Sequence, residues 1–211
     1  MPRPPRITVR SLTAARWPDF AALFGERGAC GGCWCMLWRL SRPQFEAQKG
    51  AGNRAAMRRL VHAGAEPGLL AYRGGQAVGW LSLAPRPQFP GLGRSRLLKP
   101  IDDAPVWSIS CLFVAKAHRR SGVSVALLRA AVAHAGRRGG TVVEGYPQQP
   151  KQDTMPDVFA WTGLASAFVA AGFHEVARPS PTRPIMRCTT DRAPVTRRST
   201  RAGTKRASRT S

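Results

Sequence analysis

The segment that most constrains the fold spans residues 106–146, because it has the pattern of a strand, a loop, a helix and a second strand. Residues 106–114 are rich in β-branched and aromatic side chains and have the length of a strand. Apolar residues recur at helical spacing over residues 125–135, and residues 141–146 are again typical of a strand. Together with the strands and helices predicted on either side, this unit indicates a mixed α/β fold.

The turn between this strand and its helix has the features of an anion-binding site. A helix that begins soon after a strand exposes free backbone N–H groups and the positive end of its dipole. Gly122 and Ser124 lack bulk, so a ligand can approach the backbone, while Arg119 and Arg120 add positive charge at the rim. We therefore expect a phosphate or pyrophosphate group to bind at residues 119–124.

The same turn carries a resemblance to a known family. The pattern Arg-x-x-Gly-x-Ser at residues 119–124, after a strand that ends at Val114, resembles the acetyl-CoA signature Q/R-x-x-G-x-G/A of the GCN5-related N-acetyltransferases, the GNAT superfamily. Residues 163–173 are similar to the helix and Ala-Gly-Phe turn that follow in that family, and residues 183–187 are similar to its closing strand. The resemblance therefore extends over most of the chain.

The resemblance implies a GNAT-like fold: a mixed, mostly antiparallel twisted sheet with a splay between strands 4 and 5 and helices on both faces. It also implies that acetyl-CoA is the co-substrate, with its pantetheine arm inserted at the splay like an added strand. A backbone N–H at the splay would polarise the thioester carbonyl. The residues implied in cofactor binding are Leu112, Phe113, Val114, Arg119, Arg120, Ser121, Gly122, Val123 and Ser124.

The activity that the resemblance implies is acetyl transfer from acetyl-CoA to an amine of a small molecule or a protein, by direct attack of the amine. Two hypotheses from other classes stand beside it. One is a basic GNAT-fold module that has lost catalysis and associates with nucleic acid, and the other is a cysteine-centred metal or redox protein. The first hypothesis is favoured because the strand, the loop, the helix and the Gly-Phe turn all agree.

The acid–base residues depart from the family's pattern. Direct transfer needs a neutral amine, and the departing thiolate gains from a proton donor. Many members of the family carry a tyrosine four residues before the glycine of the Gly-Phe turn, where this chain has Phe168. The remaining candidates are Glu144 and Tyr146, which share one face of the strand beside the splay. We interpret both as catalytic; the competing interpretations are a solvated face for Glu144 and an aromatic plug for Tyr146.

Residues 30–39 contain three cysteines and two tryptophans. A C-x-x-C-x-C pattern can ligate zinc, but no fourth ligand or second cysteine pair lies nearby, so we predict no metal. We interpret the run as a wall of the acceptor pocket, with Trp34 and Trp38 as aromatic faces and Arg39 as a clamp for a carboxylate or phosphate. Core packing of the tryptophans is the alternative. Similar runs occur in an uncharacterised bacterial subfamily of the GNAT proteins.

The formal net charge of +22 arises from 33 basic residues against 11 acidic ones. A basic surface attracts the phosphates of CoA and also attracts nucleic acid without sequence preference, and we treat the second contact as incidental. Residues 1–188 are predicted to form the N-acetyltransferase domain. Residues 189–211 are basic and almost without apolar side chains, so they are predicted to be a disordered tail.

The sequence also carries expectations about the cellular setting. No signal peptide and no apolar stretch of membrane-spanning length is visible, so no membrane contact is expected. Five cysteines, an odd number, favour free thiols in a reducing cytoplasm. A homodimer is compatible with the sequence.

Overall fold

The structure is a computed structural model, and it describes residues 5–150 and 161–191. The strands are β1 (Thr8–Ser11), β2 (Gly68–Arg73), β3 (Gln76–Pro85), β4 (Val106–Val114), β5 (Val142–Gly145), β6 (His174–Ser180) and β7 (Arg183–Thr189). The α-helices are α1 (Trp17–Phe24), α2 (Arg42–Ala47), α3 (Ala51–His62), α4 (Pro90–Arg94), α5 (Val123–Arg137) and α6 (Ala165–Ala170).

The seven strands form one sheet in the order β1-β2-β3-β4-β5-β7-β6. Among the strands that the structure describes, β4 and β5 form the one parallel pair, and the other neighbours are antiparallel. The mixed, mostly antiparallel sheet that the family resemblance implies is therefore confirmed. Strand β7 lies between β5 and β6, so the chain returns to pair with β5 after it has formed β6.

The predicted splay lies where β4 continues beyond the end of β5. Their pairing runs from Val106 opposite Val142 to Ile109 opposite Gly145. Strand β5 ends at Gly145, while β4 continues through residues 110–114 without a β5 partner. The edge of those five residues toward the splay is not occupied by β5, which is the geometry that an added strand requires.

Helices cover both faces of the sheet, each over its own apolar core. On one face, α5 presents Leu127 and Leu128 to sheet residues that include Ile109 and Leu112. On the other face, Phe20 of α1 and Met57 of α3 pack with Trp80 of β3. The alternation of side chains along β4 supplies both cores at once, since successive residues point to opposite faces.

The first turn of α5 lies close to the sheet because β3 has a glycine there. A Cβ atom at Gly79 would lie 2.8 Å from Cγ1 of Val123 and 3.1 Å from Cδ1 of Leu127. Any side chain at this position would push the start of α5 away from β3 and β4. Gly79 thus fixes the position of the predicted anion-binding turn from an adjacent strand.

The predicted boundary of the domain at residue 188 needs a correction. Strand β7 continues through Thr189, and Thr190 is buried. The backbone N–H of Thr190 donates to the carbonyl of Thr141 at 2.9 Å, and its hydroxyl donates to the carbonyl of Gly140 at 2.8 Å. The folded unit therefore includes both threonines. The rest of the predicted tail, residues 192–211, lies outside the described residues.

Candidate functional site

The turn between β4 and α5 has the conformation expected of an anion site. Gly122 is the N-cap of α5 with φ of +83°, in the left-handed region that glycine adopts without strain. Gly122 is exposed, and a Cβ atom added there would meet no heavy atom of the described residues within 4 Å. The N–H groups of the first helical turn have no acceptor within the helix, and they lie at the positive end of the α5 dipole.

Side chains within the turn hold its path. The hydroxyl of Ser121 donates to the carbonyl of His118 at 2.6 Å. The Nε of Arg119 donates to the carbonyl of Val114 at 3.2 Å. Arg120 is exposed and has φ of +54°, which is uncommon for a residue with a side chain. The signature residues thus bend the backbone away from β4 and into α5.

The splay beside this turn is bridged by the protein's own chain. The backbone N–H of Leu112 donates to the carbonyl of Trp161 at 2.8 Å. Across the splay, the N–H of Gln148 donates to the carbonyl of Gly163 at 2.8 Å. The N–H of Ala165 donates to the backbone carbonyl of Gln148 at 2.9 Å. Residues 161–164 therefore lie along the edge of β4 where the pantetheine arm is expected.

The β4 residues at the splay also pack in the cores, as side chains on a strand do. Leu112 is buried on the α5 face, and Phe113 points to the opposite face, with its ring centroid 5.8 Å from that of Phe24. Their predicted contacts with the cofactor belong to the backbone. Side-chain burial is therefore compatible with that role, which stays a prediction.

Glu144 is the centre of a buried charge cluster. Its side chain is only 1% exposed, so the interpretation of a solvated face is wrong. Oε1 accepts hydrogen bonds from Nη1 of Arg86 at 3.0 Å and from the hydroxyl of Tyr146 at 2.7 Å. Oε2 accepts from Nε of Arg187 at 2.8 Å. Two guanidinium groups thus compensate a carboxylate that would otherwise be costly to bury.

Tyr146 stands beside Glu144 and is also 1% exposed. Its hydroxyl lies 2.9 Å from Oγ of Ser108 and accepts a hydrogen bond from Arg86. Burial, reinforced by the negative charge of Glu144, raises the pKa of Tyr146 far above its usual value. The hydroxyl therefore stays protonated and can act as a hydrogen-bond donor, here toward Glu144.

The same cluster fixes the segment between β3 and β4, residues 86–105. Arg86, at the start of the segment, bonds to Glu144, and its Nη2 donates to the carbonyl of Leu98. Asp102, near the end of the segment, accepts hydrogen bonds from both terminal nitrogens of Arg187, at 2.6 and 2.9 Å. The segment thus covers Glu144 in this structure.

The three residues predicted to form a wall of the acceptor pocket lie in different surroundings. Trp34 is 3% exposed, with its ring 5.6 Å from that of Phe24 and 6.0 Å from that of Phe20. The structure therefore places Trp34 in the core, as the alternative interpretation has it. Trp38 stacks on Trp161, with ring centroids 6.2 Å apart, and so lies at the splay.

Arg39 follows Trp38 and holds a guanidinium group in partly apolar surroundings. Its Nη2 donates to the carbonyl of Pro67 at 3.3 Å, and its guanidinium carbon lies 4.4 Å from the ring centroid of Phe89. Burial lowers the pKa of Arg39 to about 10. Among the described residues, no carboxylate pairs with it, and its buried Nε has no hydrogen-bond partner.

Two cysteines of this region, Cys33 and Cys35, are protonated thiols in ordinary packing. Sγ of Cys35 is buried and accepts the indole N–H of Trp80 at 3.0 Å. Burial raises the pKa of Cys33 to about 11 and raises that of Cys35 as well. A metal ligand or redox thiol needs the opposite shift. Within residues 5–150 and 161–191, no three His, Cys, Asp or Glu side chains form a cluster that could hold a metal.

Four residues that matter for this site were not singled out in the sequence. Gly79 was detectable, because a glycine in the middle of an apolar strand indicates the close approach of another element. Arg73, Arg86 and Arg187 carried no such signal. In a chain with 33 basic residues, nothing local distinguishes an arginine that is bound to a buried partner.

Helices of membrane-spanning length and apolarity do not occur among the described residues.

A search of curated protein sequences finds no match to this chain. Among solved structures, an apo form of an agmatine N-acetyltransferase variant is 12% identical, with 87% of this chain and 99% of that chain covered and a TM-score of 0.52. A GNAT-family acetyltransferase from Bacillus cereus is 9% identical, with 89% and 99% covered and a TM-score of 0.50.

A complex of PaiA N-acetyltransferase from Thermoplasma acidophilum with coenzyme A is 14% identical, with 87% of this chain and 99% of that chain covered and a TM-score of 0.49. The likeness to the first two structures supports the fold alone. The sequence model of the acetyltransferase (GNAT) family matches residues 34–153, which is more than half of the 211 residues. This chain therefore belongs to the GNAT acetyltransferase family.

Proposed function

We propose that this protein transfers an acetyl group from acetyl-CoA to the amine of a small molecule or a protein. The observation that carries the proposal is the turn at residues 119–124 in a chain of the GNAT family, at the start of α5 and beside the splay of β4 and β5. The pyrophosphate of CoA would accept hydrogen bonds from the free N–H groups of the first α5 turn, and Arg119 and Arg120 would add positive charge there.

The pantetheine arm would then extend along residues 110–114 of β4, at the edge where β4 has no β5 partner. In that position the N–H of Leu112 would donate to the thioester carbonyl and stabilise the negative charge that develops during attack. In this structure the N–H of Leu112 donates instead to the carbonyl of Trp161. Acetyl-CoA therefore has to replace Trp161 as the partner of Leu112.

Glu144 and Tyr146 remain the proposed acid–base residues. The hydroxyl of Tyr146 stays protonated, so it can donate a hydrogen bond to the departing CoA thiolate. Full proton transfer to the thiolate also requires that the raised pKa of Tyr146 falls when the segment covering Glu144 and Tyr146 moves. Glu144 could accept a proton from the amine only after one of its contacts opens, since Arg86, Arg187 and Tyr146 hold its two oxygens. A role as base thus requires that the segment carrying Arg86 moves.

The direct test is release of free thiol from acetyl-CoA in the presence of a panel of amines: polyamines, amino acids and peptides with free amino termini. We expect acceptor-dependent thiol release and a matching acetylated product by mass spectrometry. Calorimetric titration with CoA separates binding from transfer. Absence of CoA binding would overturn the proposal, whereas binding without transfer to any amine would favour a module that has lost catalysis.

That second candidate, a basic module associated with nucleic acid, is favoured by the net charge of +22 and by the buried Phe168 in place of the familial tyrosine. Nonspecific binding of this kind weakens steeply as salt rises. It is tested by titrating a fluorescent RNA and DNA oligonucleotide at two salt concentrations. Tight binding that survives high salt, together with no thiol release, would replace the acetyltransferase proposal.

A further inference from the structure

Arg73 connects the β2–β3 hairpin to the anion-binding turn. It is the last residue of β2, and it lies outside the signature at residues 119–124. Its Nη1 donates to Oγ of Ser121 at 3.1 Å, and its Nη2 donates to the carbonyl of the same residue at 2.9 Å. One guanidinium group thus grips both the side chain and the backbone of Ser121.

The position of Ser121 explains why this contact matters. It lies between Arg120, with φ of +54°, and Gly122, with φ of +83°. The residues on both sides of Ser121 are therefore in the left-handed region. For Arg120 this conformation costs free energy, because Arg120 has a Cβ atom. A path of this kind persists only where other contacts hold it, and Arg73 supplies two of them from β2, which is separated from β4 by β3.

Ser121 transmits the restraint further into the turn. While its Oγ accepts from Arg73, it donates to the carbonyl of His118 at 2.6 Å. The hydroxyl group is therefore used as donor and as acceptor, and its orientation is fixed. Residues 118 and 121 of the loop between β4 and α5 are then tied to β2.

Arg73 also places positive charge behind the anion site. Arg73 is half-buried. Among the described residues, its buried Nε has no hydrogen-bond partner, and no carboxylate forms an ion pair with its guanidinium group. The charge is therefore available to the field at the turn, where it acts in the same direction as the α5 dipole.

We propose that Arg73 is a positioning residue for the co-substrate: it holds residues 119–122 in the conformation that binds the pyrophosphate of CoA. The inference rests on the proposed function, because it assumes that CoA binds at this turn. It predicts a selective effect. Contacts of the pyrophosphate depend on Arg73, whereas contacts of the pantetheine arm with β4 do not.

The test compares the binding of CoA and of pantetheine, which lacks the pyrophosphate, by calorimetry or by competition. We expect Arg73→Ala to weaken CoA binding by about tenfold or more, since a charged donor bonded to the turn is lost. The affinity for pantetheine should change by less than about twofold. In a transfer assay, KM for acetyl-CoA should rise while kcat stays near its original value.

Three further variants keep the test sharp. Arg10→Ala removes the same charge from an exposed position on β1 and should leave CoA binding within about twofold. Arg73→Lys retains the charge without the two-pronged geometry and should fall between wild type and Arg73→Ala. Ser121→Ala should weaken CoA binding by a smaller factor, and the double variant with Arg73→Ala should lose less than the product of the two factors.

The outcomes separate the two proposals. If wild type binds CoA and Arg73→Ala binds it equally well, or loses CoA and pantetheine to the same degree, Arg73 has no positioning role. If wild type itself does not bind CoA, the proposed function fails and the role of Arg73 fails with it. Should Arg73→Ala not fold, the comparison of Arg73→Lys with Arg10→Ala decides in the same way.

Discussion

The backbone N–H of Leu112 donates a hydrogen bond to the carbonyl oxygen of Trp161 over 2.8 Å. Leu112 lies three residues beyond Ile109, the last residue of β4 that pairs with β5. Its N–H is therefore the kind of donor that a thioester carbonyl would use at the splay. A carbonyl of the protein itself holds it, so binding of the acyl group competes with an internal hydrogen bond.

We predict that acetyl-CoA moves Trp161 away from Leu112 and separates it from Trp38, on which it stacks. Loss of this stack changes the surroundings of two indole rings, so binding should be accompanied by a change in tryptophan fluorescence. Trp161→Phe should remove most of that change. Trp107→Phe, on the face that packs against His134, should leave it intact. An undiminished signal in Trp161→Phe would mean that residues 161–164 stay in place.

A second prediction concerns the pyrophosphate at Gly122. Gly122→Glu places a side chain and a negative charge in the open space in front of α5, and it should lower CoA affinity by about a hundredfold or more. Gly139→Glu is a matched control, because Gly139 has the same φ of +83° and equally open surroundings at the other end of α5. Both variants carry the same backbone strain, so equal CoA affinities, measured by calorimetry, would remove the site from this turn.

Local features of the sequence predicted the elements of the fold well. Strand β4 has the bounds expected of it. The glycines at residues 74–75, which are typical of hairpin turns, join β2 to β3, and Ser41, a residue type typical of N-caps, caps α2. These outcomes depend on hydrophobic periodicity and on turn and cap chemistry, which act between residues close in the chain.

Contacts between distant residues were not predictable in the same way. Glu144 was singled out as a lone carboxylate on an apolar strand, but its partners Arg86 and Arg187 are 58 and 43 residues away. The aromatic run at residues 30–39 predicted aromatic packing without deciding which ring is buried: Trp34 is in the core, whereas Trp38 reaches the splay. Tertiary packing decides such outcomes, and one sequence shows only the residue types available.

The C-terminal boundary supplies a third prediction. A chain truncated after Asp191 should keep the melting temperature and the CoA affinity of the full chain. A chain truncated after Cys188 loses the two hydrogen bonds of Thr190 to Thr141 and Gly140, each contributing about 0.5–1.5 kcal/mol. Its melting temperature should fall by several degrees in a thermal melt. Equal stability of the two truncated chains would show that Thr190 does not belong to the folded unit.

A fourth prediction concerns the pH dependence of stability at His134, a buried residue of α5 beside Trp107. Burial, with a smaller contribution from the charge of Arg138, lowers the pKa of His134 below its usual value of 6.5. The unfolded chain therefore binds this proton at a higher pH than the folded chain does. Stability should fall as pH drops below about 6.5, and the folded state should be unaffected by this group above it.

The measurement is the free energy of unfolding by denaturant between pH 7 and pH 5. His134→Gln should flatten the decline, because glutamine takes up no proton. His62→Gln, at an exposed position of α3, should leave the decline unchanged. A window that stops near pH 5 avoids Glu66, whose lowered pKa affects stability only at more acidic pH. A decline of equal slope in His134→Gln and wild type would assign it to other groups.

The last prediction tests Glu144 and Tyr146. If Glu144 accepts the proton of the amine, Glu144→Gln should lower kcat by about a hundredfold or more while CoA affinity stays nearly constant. The same change leaves Arg86 and Arg187 without their buried anion, and loss of one member of such a cluster costs about 3–5 kcal/mol. The melting temperature must therefore be measured beside kcat, and the assay run well below the melting temperature of the variant.

Tyr146→Phe separates proton donation from this structural effect, because it removes one hydroxyl and leaves both ion pairs in place. If Tyr146 protonates the departing thiolate, kcat should fall while CoA affinity and the pH profile stay alike, since the raised pKa keeps the hydroxyl protonated over the whole assay range. An alkaline limb that disappears in Tyr146→Phe would contradict that protonation state. Full activity in both variants would leave positioning and the Leu112 N–H to carry the reaction.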